Sequence, residues 1–176
     1  MTEESSLYFE FKVRGLAMDA KSKSPILLLE AHGAGLLLPI RVGGFEAAAI
    51  VVALEERSLN RPMTHDLMAN LVQAMDAELL SADIASLSES TFFANLRLKT
   101  HGGEIRHIDC RPSDAVALAI RLNVVIRVES AVLEAAQPLP EDDDKTNEAG
   151  IVFVADDDQA GRARLLAELE SMTPDD

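Results

Sequence analysis

Cysteine is almost missing from this sequence: Cys110 stands alone among 176 residues. One thiol makes neither an internal disulfide nor a zinc–thiolate cluster, and it fits a reducing compartment. Tryptophan is absent, tyrosine occurs once and phenylalanine six times. None of these rings interleaves with Lys or Arg, so no platform for stacking a single strand is visible. No uninterrupted apolar run approaches the ~18 residues that a membrane span requires. The opening "MTEESSLYFEF" is acidic where a secretory signal is basic and then apolar. These absences lead to the expectation of a cytoplasmic chain with no membrane partner.

Positive charge is also scarce, with 16 Lys and Arg against 30 Asp and Glu, a net charge of -14. Phosphate binding calls for basic surface, so composition leans away from a dedicated nucleic-acid binder. The acidity is uneven, however. Residues 140–176 hold 12 acids and 3 bases, whereas residues 1–139 hold 18 acids and 13 bases. Most of the excess therefore belongs to the tail, and the body is only mildly acidic.

The pattern along the chain predicts strands and helices in the order βββ-αα-βββ-α-β. Apolar and polar residues alternate from Tyr8 to Val13 as in a half-buried strand. "SPILLLEA" and "LLLPIRV" follow as strands, and Pro39 in the latter marks an edge or an irregular spot. After Gly43 and Gly44, "FEAAAIVVALEERS" has the composition of a mostly buried helix. In "NRPMTHDLMANLVQAMD", Leu67, Met68, Leu71, Val72 and Met75 share one helical face, with Thr64 as N-cap. Two strand-like segments come next, and "HGG" joins "TFFANLRLKT" to "EIRHIDC" as the clearest hairpin. A helix over "RPSDAVALAIRL" and a strand over "VVIRVE" close the compact part. The order lacks regular βαβ alternation, so the expected class is α+β: a mixed sheet with packed helices. Residues 1–136 form the expected domain and the acidic, proline-containing stretch 137–150 a linker. Residues 151–176 read as a short strand and an amphipathic C-terminal helix.

No phosphate-cradling glycine loop, G-x-S-x-G or H-E-x-x-H is present. What remains are polar residues at the starts of apolar helices. Glu46 follows Gly43-Gly44, where it either complements the helix dipole or ligates a hard cation. In "RPMTHDL", Asp66 lies in the first turn and His65 beside it is either solvated or positioned for metal binding or proton transfer. In "IDCRPSDAVALAIR", Asp109 ends a strand, Arg111 lies in the connection, and Ser113 caps the helix that Asp114 opens. A strand end leading into a helix N-terminus suits an anion, and two nearby carboxylates suit Mg²⁺ or Mn²⁺. The structural alternative is that Ser113 caps, Asp114 complements the dipole and Arg111 pairs with Asp109. His101 and His107 are expected to be structural or solvated, and Cys110 to be a small buried residue.

The succession "LPIRVGGFEAAAI", "RPMTHDL", "TFFANL" and "IDCRPSDAVALAIR" resembles the bifunctional nuclease domain family over roughly residues 8–135, with all four blocks in order. The ending "LLAELESMTPDD" is similar to the C-terminal helix of actinobacterial members. The resemblance implies an α+β fold, a homo-oligomer such as a dimer, and nuclease activity towards RNA and DNA. It makes Glu46, His65, Asp66, Asp109, Arg111, Ser113 and Asp114 the candidate site, to which Thr64 is added from its place in the "THD" turn.

Two readings compete at this point. In the first the chain is a metal-dependent nuclease acting on RNA or single-stranded DNA. Glu46, Asp109 and Asp114 hold Mg²⁺ or Mn²⁺, His65 and Asp66 serve acid–base chemistry with Asp109 and Asp114, and Arg111, Ser113 and Thr64 hold the phosphate. In the second it is a non-catalytic homo-oligomeric module that binds a small anionic ligand or a protein partner. The first requires the three helix starts to converge.

Overall fold

A computed structural model of the chain describes residues 7–19, 21–57 and 59–136, together with the backbone of 139–140 and 151–153. The strands are β1 (Tyr8–Asp19), β2 (Pro25–Ala31), β3 (Leu36–Arg41), β4 (Glu78–Ser88), β5 (Thr91–Lys99), β6 (Ile105–Cys110), β7 (Val125–Glu129), β8 (Leu139–Pro140) and β9 (Ile151–Phe153). The helices are α1 (Gly44–Leu54), α2 (Thr64–Ala74), α3 (Pro112–Leu122) and α4 (Ser130–Ala136). The expected order therefore stands, extended by α4 and β8, and β9 lies at the start of the segment read as a short strand.

All nine strands join one sheet in the order β6-β5-β4-β7-β1-β2-β3-β8, with β9 on β1. The sheet is mixed because β4 and β7 run parallel while the other pairs are antiparallel. β1 is longer than its alternating segment predicts. A register shift between Val13 and Gly15, the latter at φ 150°, makes a bulge that lets one strand serve β7 at its start and β9 at its end. Pro39 pairs with Leu28 on β2, while on the other side β8 pairs only with Leu36 and Leu37. Proline thus falls where that side of the ladder needs no donor.

β6, α3 and β7 form a crossover that passes over β5 and β4, since α3 packs against β4, β5 and β7. This burial explains its composition: Ala115, Val116, Ala117, Leu118 and Ala119 are all buried, and small side chains let the helix approach both the sheet and α1. α1 packs on α3 and β2, and α2 packs on α3 and β4. Leu27 and Leu29 of β2 face this helical layer, whereas Ile26 and Leu28 belong to a smaller cluster with Ala17 on the other side. Each fully buried Leu or Ile contributes about 1.5–3 kcal/mol relative to exposure.

One expected face is split. Met68 and Val72 of α2 pack against the core, but Leu67, Leu71 and Met75 are exposed. Strand β8 also places residues 139 and 140 of the expected linker on the sheet, as partners of β3. Residues 141–150 and the expected C-terminal helix lie outside the described residues. Among the described residues, no helix is long and apolar enough to cross a membrane.

Candidate functional site

Each of α1, α2 and α3 carries an acid at the third helical position: Glu46, Asp66 and Asp114. A carboxylate there lies close to the unpaired amides of the first turn and complements the helix dipole. The caps differ from the sequence expectation. Met63, not Thr64, is the N-cap of α2, and its N–H donates to Asp66 Oδ2 at 2.8 Å. Asp66 thus reaches back to the N-cap amide, and Thr64 is an exposed first helical residue. Arg111, not Ser113, is the N-cap of α3, because Pro112 lacks an N–H and its fixed φ suits the first helical position. The Arg111 carbonyl accepts from the Asp114 and Ala115 amides, and Ser113 is the second helical residue, buried.

The three helix starts converge through side chains. His65 Nε2 lies 3.0 Å from Asp114 Oδ1, joining α2 to α3. Arg111 donates from Nε to Asp114 Oδ2 at 2.8 Å and from Nη2 to Oδ1 at 3.1 Å. Its Nη1 lies 2.8 Å from Glu46 Oε1, joining α3 to α1. The result is a continuous chain, Glu46–Arg111–Asp114–His65. Only Arg111 is well exposed, at 65% of its side chain, while His65 is 9% exposed. Burial raises the Asp114 carboxyl, but the hydrogen bonds from Arg111 and His65 and their charges reverse this, leaving it below its ordinary value. Those same bonds push the Arg111 guanidinium up, first through Asp114 and then, against some burial, through Glu46.

Gly43, the N-cap of α1, makes room for this arrangement. Its φ of -74° is open to any residue, but a Cβ built there would overlap Glu46 Oε2. The glycine is thus required by space, not by backbone conformation.

Asp66 joins the site through a residue that sequence reasoning missed. Arg121 Nε donates to Asp66 Oδ1 at 2.5 Å, and its Nη1 donates to the carbonyls of Ala49 and Ala117 at 3.1 and 2.9 Å. One buried guanidinium therefore ties α1, α2 and α3 together behind the cluster. Burial raises the Asp66 carboxyl, while Arg121 and the Met63 N–H more than offset it, so the group sits below its ordinary value. An arginine in a last helical turn reads as a solvated dipole partner, so only its place in a strongly apolar helix hinted at burial.

Asp109 is the residue the structure does not bring in. In β6 it pairs across β5 with Asn95, while its neighbours Ile108 and Cys110 pair with Leu96 and Ala94, which belong to the helix-covered core. Side chains alternate along a strand, so Asp109 faces the opposite side of the sheet from Arg111 and Asp114. The expected Arg111–Asp109 pair is accordingly replaced by Arg111–Asp114. Cys110 is partly buried, its Sγ 3.7 Å from the Ala94 carbonyl, and burial with the charges of Asp114 and Asp109 pushes its thiol up to about 11. It is a packing residue and a poor nucleophile at neutral pH.

The expected divalent-cation set does not fit this geometry. Asp109 points away, and Arg111 already occupies the space between Glu46 and Asp114. Among the described residues no group of three or more His, Cys, Asp and Glu side chains is arranged to hold a metal. The chemistry the cluster does offer is a guanidinium held in a fixed plane by two carboxylates, beside a histidine that shares one of them. Next to it, a cleft of about 440 Å³ lies between the β3–α1 connection, the β4–β5 turn and the start of α3.

A family model described as the bifunctional nuclease domain matches residues 26–140, which include all three helix starts. A protein of Mycobacterium tuberculosis, named only as uncharacterized, is 36% identical over 170 residues, or 95% of this chain and 96% of that protein. Bifunctional nuclease 2 of Arabidopsis thaliana is 31% identical over 107 residues, 60% of this chain and 32% of its own length. Bifunctional nuclease 1 of the same plant is 28% identical over 153 residues, 80% of this chain and 45% of its own. The chain thus spans about a third of one plant protein and under half of the other. It belongs to the bifunctional nuclease domain family.

Proposed function

We propose that the chain is a nuclease hydrolysing phosphodiester bonds of RNA and single-stranded DNA, with Arg111 as the phosphate-binding group. The observation that carries this reading is the Glu46–Arg111–Asp114 arrangement at the mouth of the cleft. A planar guanidinium pre-oriented by two carboxylates loses little freedom on taking a phosphate, and its charge opposes the negative charge that develops on the phosphoryl oxygens. Asp114 and Glu46 are positioning residues in this account. His65 is the group assigned to proton transfer, with Asp114 fixing the orientation of its ring. Asp66 acts through Arg121 and the α2 cap, Ser113 offers a hydroxyl in the cleft beside Arg111, and Thr64 offers one at the exposed start of α2. Asp109 has no part. No step is routed through a divalent cation, and any dependence on Mg²⁺ or Mn²⁺ would require Arg111 to leave the two carboxylates. A cytoplasmic location belongs to the same reading, on the strength of a lone thiol.

A specific observation also favours a homodimer. The exposed residues of α2 are Thr64, Leu67, Asn70, Leu71, Gln73 and Ala74, none of them charged, followed by the exposed C-cap Met75 and then by Asp76. In a chain of net charge -14, two copies meet with least repulsion on such a face. Leu67, Leu71 and Met75 recur every four residues, the spacing at which one helix packs on another. The non-catalytic module shares this interface and differs only in lacking hydrolysis. The deciding experiment is an assay of highly purified protein on labelled RNA and single-stranded DNA, with EDTA and with added Mg²⁺ or Mn²⁺. Cleavage that follows the protein through every column supports the nuclease; its absence under all conditions leaves the module.

A further inference from the structure

We infer that the cleft beside Arg111 seats one unpaired nucleotide, its phosphate held by Arg111 and Ser113 and its base laid against Phe92, Pro39 and Pro112. The inference rests on the nuclease reading and names the form of substrate that the site accepts.

The lining of the cleft is unlike the rest of the chain. It contains two arginines, Arg41 and Arg111, and no carboxylate, in a sequence where acids outnumber bases 30 to 16. Both arginines are paired with carboxylates beyond the lining, Arg41 with Asp19 and Arg111 with Glu46 and Asp114, so what the cleft offers an anion is their remaining N–H groups. Ser113 adds an independent observation. The residue is only 6% exposed and lines the cleft, and the surface it keeps includes its hydroxyl, which is not among the fully buried atoms left without a partner. Arg111 has donors to spare: three of its five N–H groups are directed at Asp114 and Glu46, which leaves two. Arg41 is pinned from outside by Asp19 at 2.8 Å, so its charge is held in place at the wall.

The rest of the wall is uncharged and mostly apolar, with Ser90 and Thr91 as its polar residues. Phe92, Pro39 and Pro112 present flat or rigid surfaces of the kind on which a base stacks without sequence preference. The volume of about 440 Å³ lies within the range of sites for small ligands and is far too small for a double helix. A base inside a duplex is paired and stacked, so it reaches such a cleft only from a single strand, a frayed end or a flipped position. The seat thus selects for unpaired nucleic acid by shape, without reading a base edge.

The test is an amide-resolved NMR titration of the full chain with adenosine 5′-monophosphate, inorganic phosphate and adenosine, read beside the nuclease assay. The expected result is saturable shifts for the monophosphate centred on Ser90, Thr91 and Ser113. Inorganic phosphate should shift the amides near Ser113 alone and bind about tenfold or more weakly, the worth of stacking one base. Ser113→Ala should weaken the monophosphate about tenfold or more, the worth of one hydrogen bond to a charged group. Equal binding of phosphate and monophosphate, or shifts centred elsewhere, would overturn the seat. The two readings fail separately. A chain that binds the monophosphate here but cleaves nothing keeps the seat and loses the nuclease. One that cleaves RNA with an unchanged KM in Ser113→Ala, and shows no monophosphate shifts in the cleft, keeps the nuclease and loses the seat.

Discussion

His65 Nε2 stands 3.0 Å from Asp114 Oδ1, so the first turns of α2 and α3 are joined by a single hydrogen bond. Asp114 is also gripped on its other side by Arg111, and its carboxyl lies below its ordinary value despite burial. A depressed folded-state pKa means the ionised group stabilises the fold above the unfolded value, and that this contribution is lost as pH falls through the folded value. Asp114→Asn should therefore cost about 2 kcal/mol at pH 7. The gap from the wild type should narrow below about pH 4, the ordinary carboxylate range. Urea unfolding of both proteins across pH 3–7 measures this, and a gap independent of pH would show that the charge of Asp114 contributes nothing.

Gly43→Ala isolates the position of Glu46. The backbone accepts alanine, so unfolding free energy should change by less than about 1 kcal/mol, as for loss of an exposed ion pair. The added methyl displaces Glu46 from Arg111, and anion affinity at the cleft should change while stability does not. Parallel thermal melts and phosphate titrations read the two quantities apart.

Arg121 is expected to matter more for the fold than Arg111. Replacing it by Leu removes its hydrogen bonds to Asp66 and to two helix carbonyls and should cost about 1–3 kcal/mol, because Arg121 is buried but Asp66 keeps 34% of its side chain exposed. A double-mutant cycle with Asp66→Asn should show coupling of about 1 kcal/mol or more, whereas Lys99 and Glu78, at 3.8 Å on the surface, should show almost none. Additive losses at Arg121 and Asp66 would dismiss the tie.

The uncharged face of α2 is tested by Leu71→Lys. If this face holds two copies together, sedimentation should show a dimer for the wild type and a monomer for the variant, with the fold retained because Leu71 is exposed. A wild type that stays monomeric at high concentration would remove the interface.

How much of this was legible in the sequence differs by residue. The strand order and class followed from periodicity, and the polar blocks at three helix starts stood out because acids in a first turn have a direct electrostatic reason to be there. Their convergence depends on the crossover of α3 between β6 and β7, which no local pattern encodes. Asp109 looked like a partner of Asp114 because the two are close in sequence, yet strand alternation sends it through the sheet to the other face. Periodicity put Leu67 and Leu71 on the same face as Met68 and Val72, since an apolar stripe does not say which of its edges meets the core. Arg121 was invisible because its partners lie on two other helices.

The central claim is that Arg111, held by Glu46 and Asp114, is the group that acts on a phosphodiester. Its most direct measurement is kcat/KM on a single-stranded RNA for the wild type, Arg111→Ala, Asp114→Ala and Asp109→Ala, purified identically. The account predicts losses of about 10²–10³-fold for Arg111→Ala, the scale for removing one transition-state donor, a smaller loss for Asp114→Ala, and wild-type activity for Asp109→Ala. Equal activity in all four proteins, or a loss confined to Asp109→Ala, would contradict it.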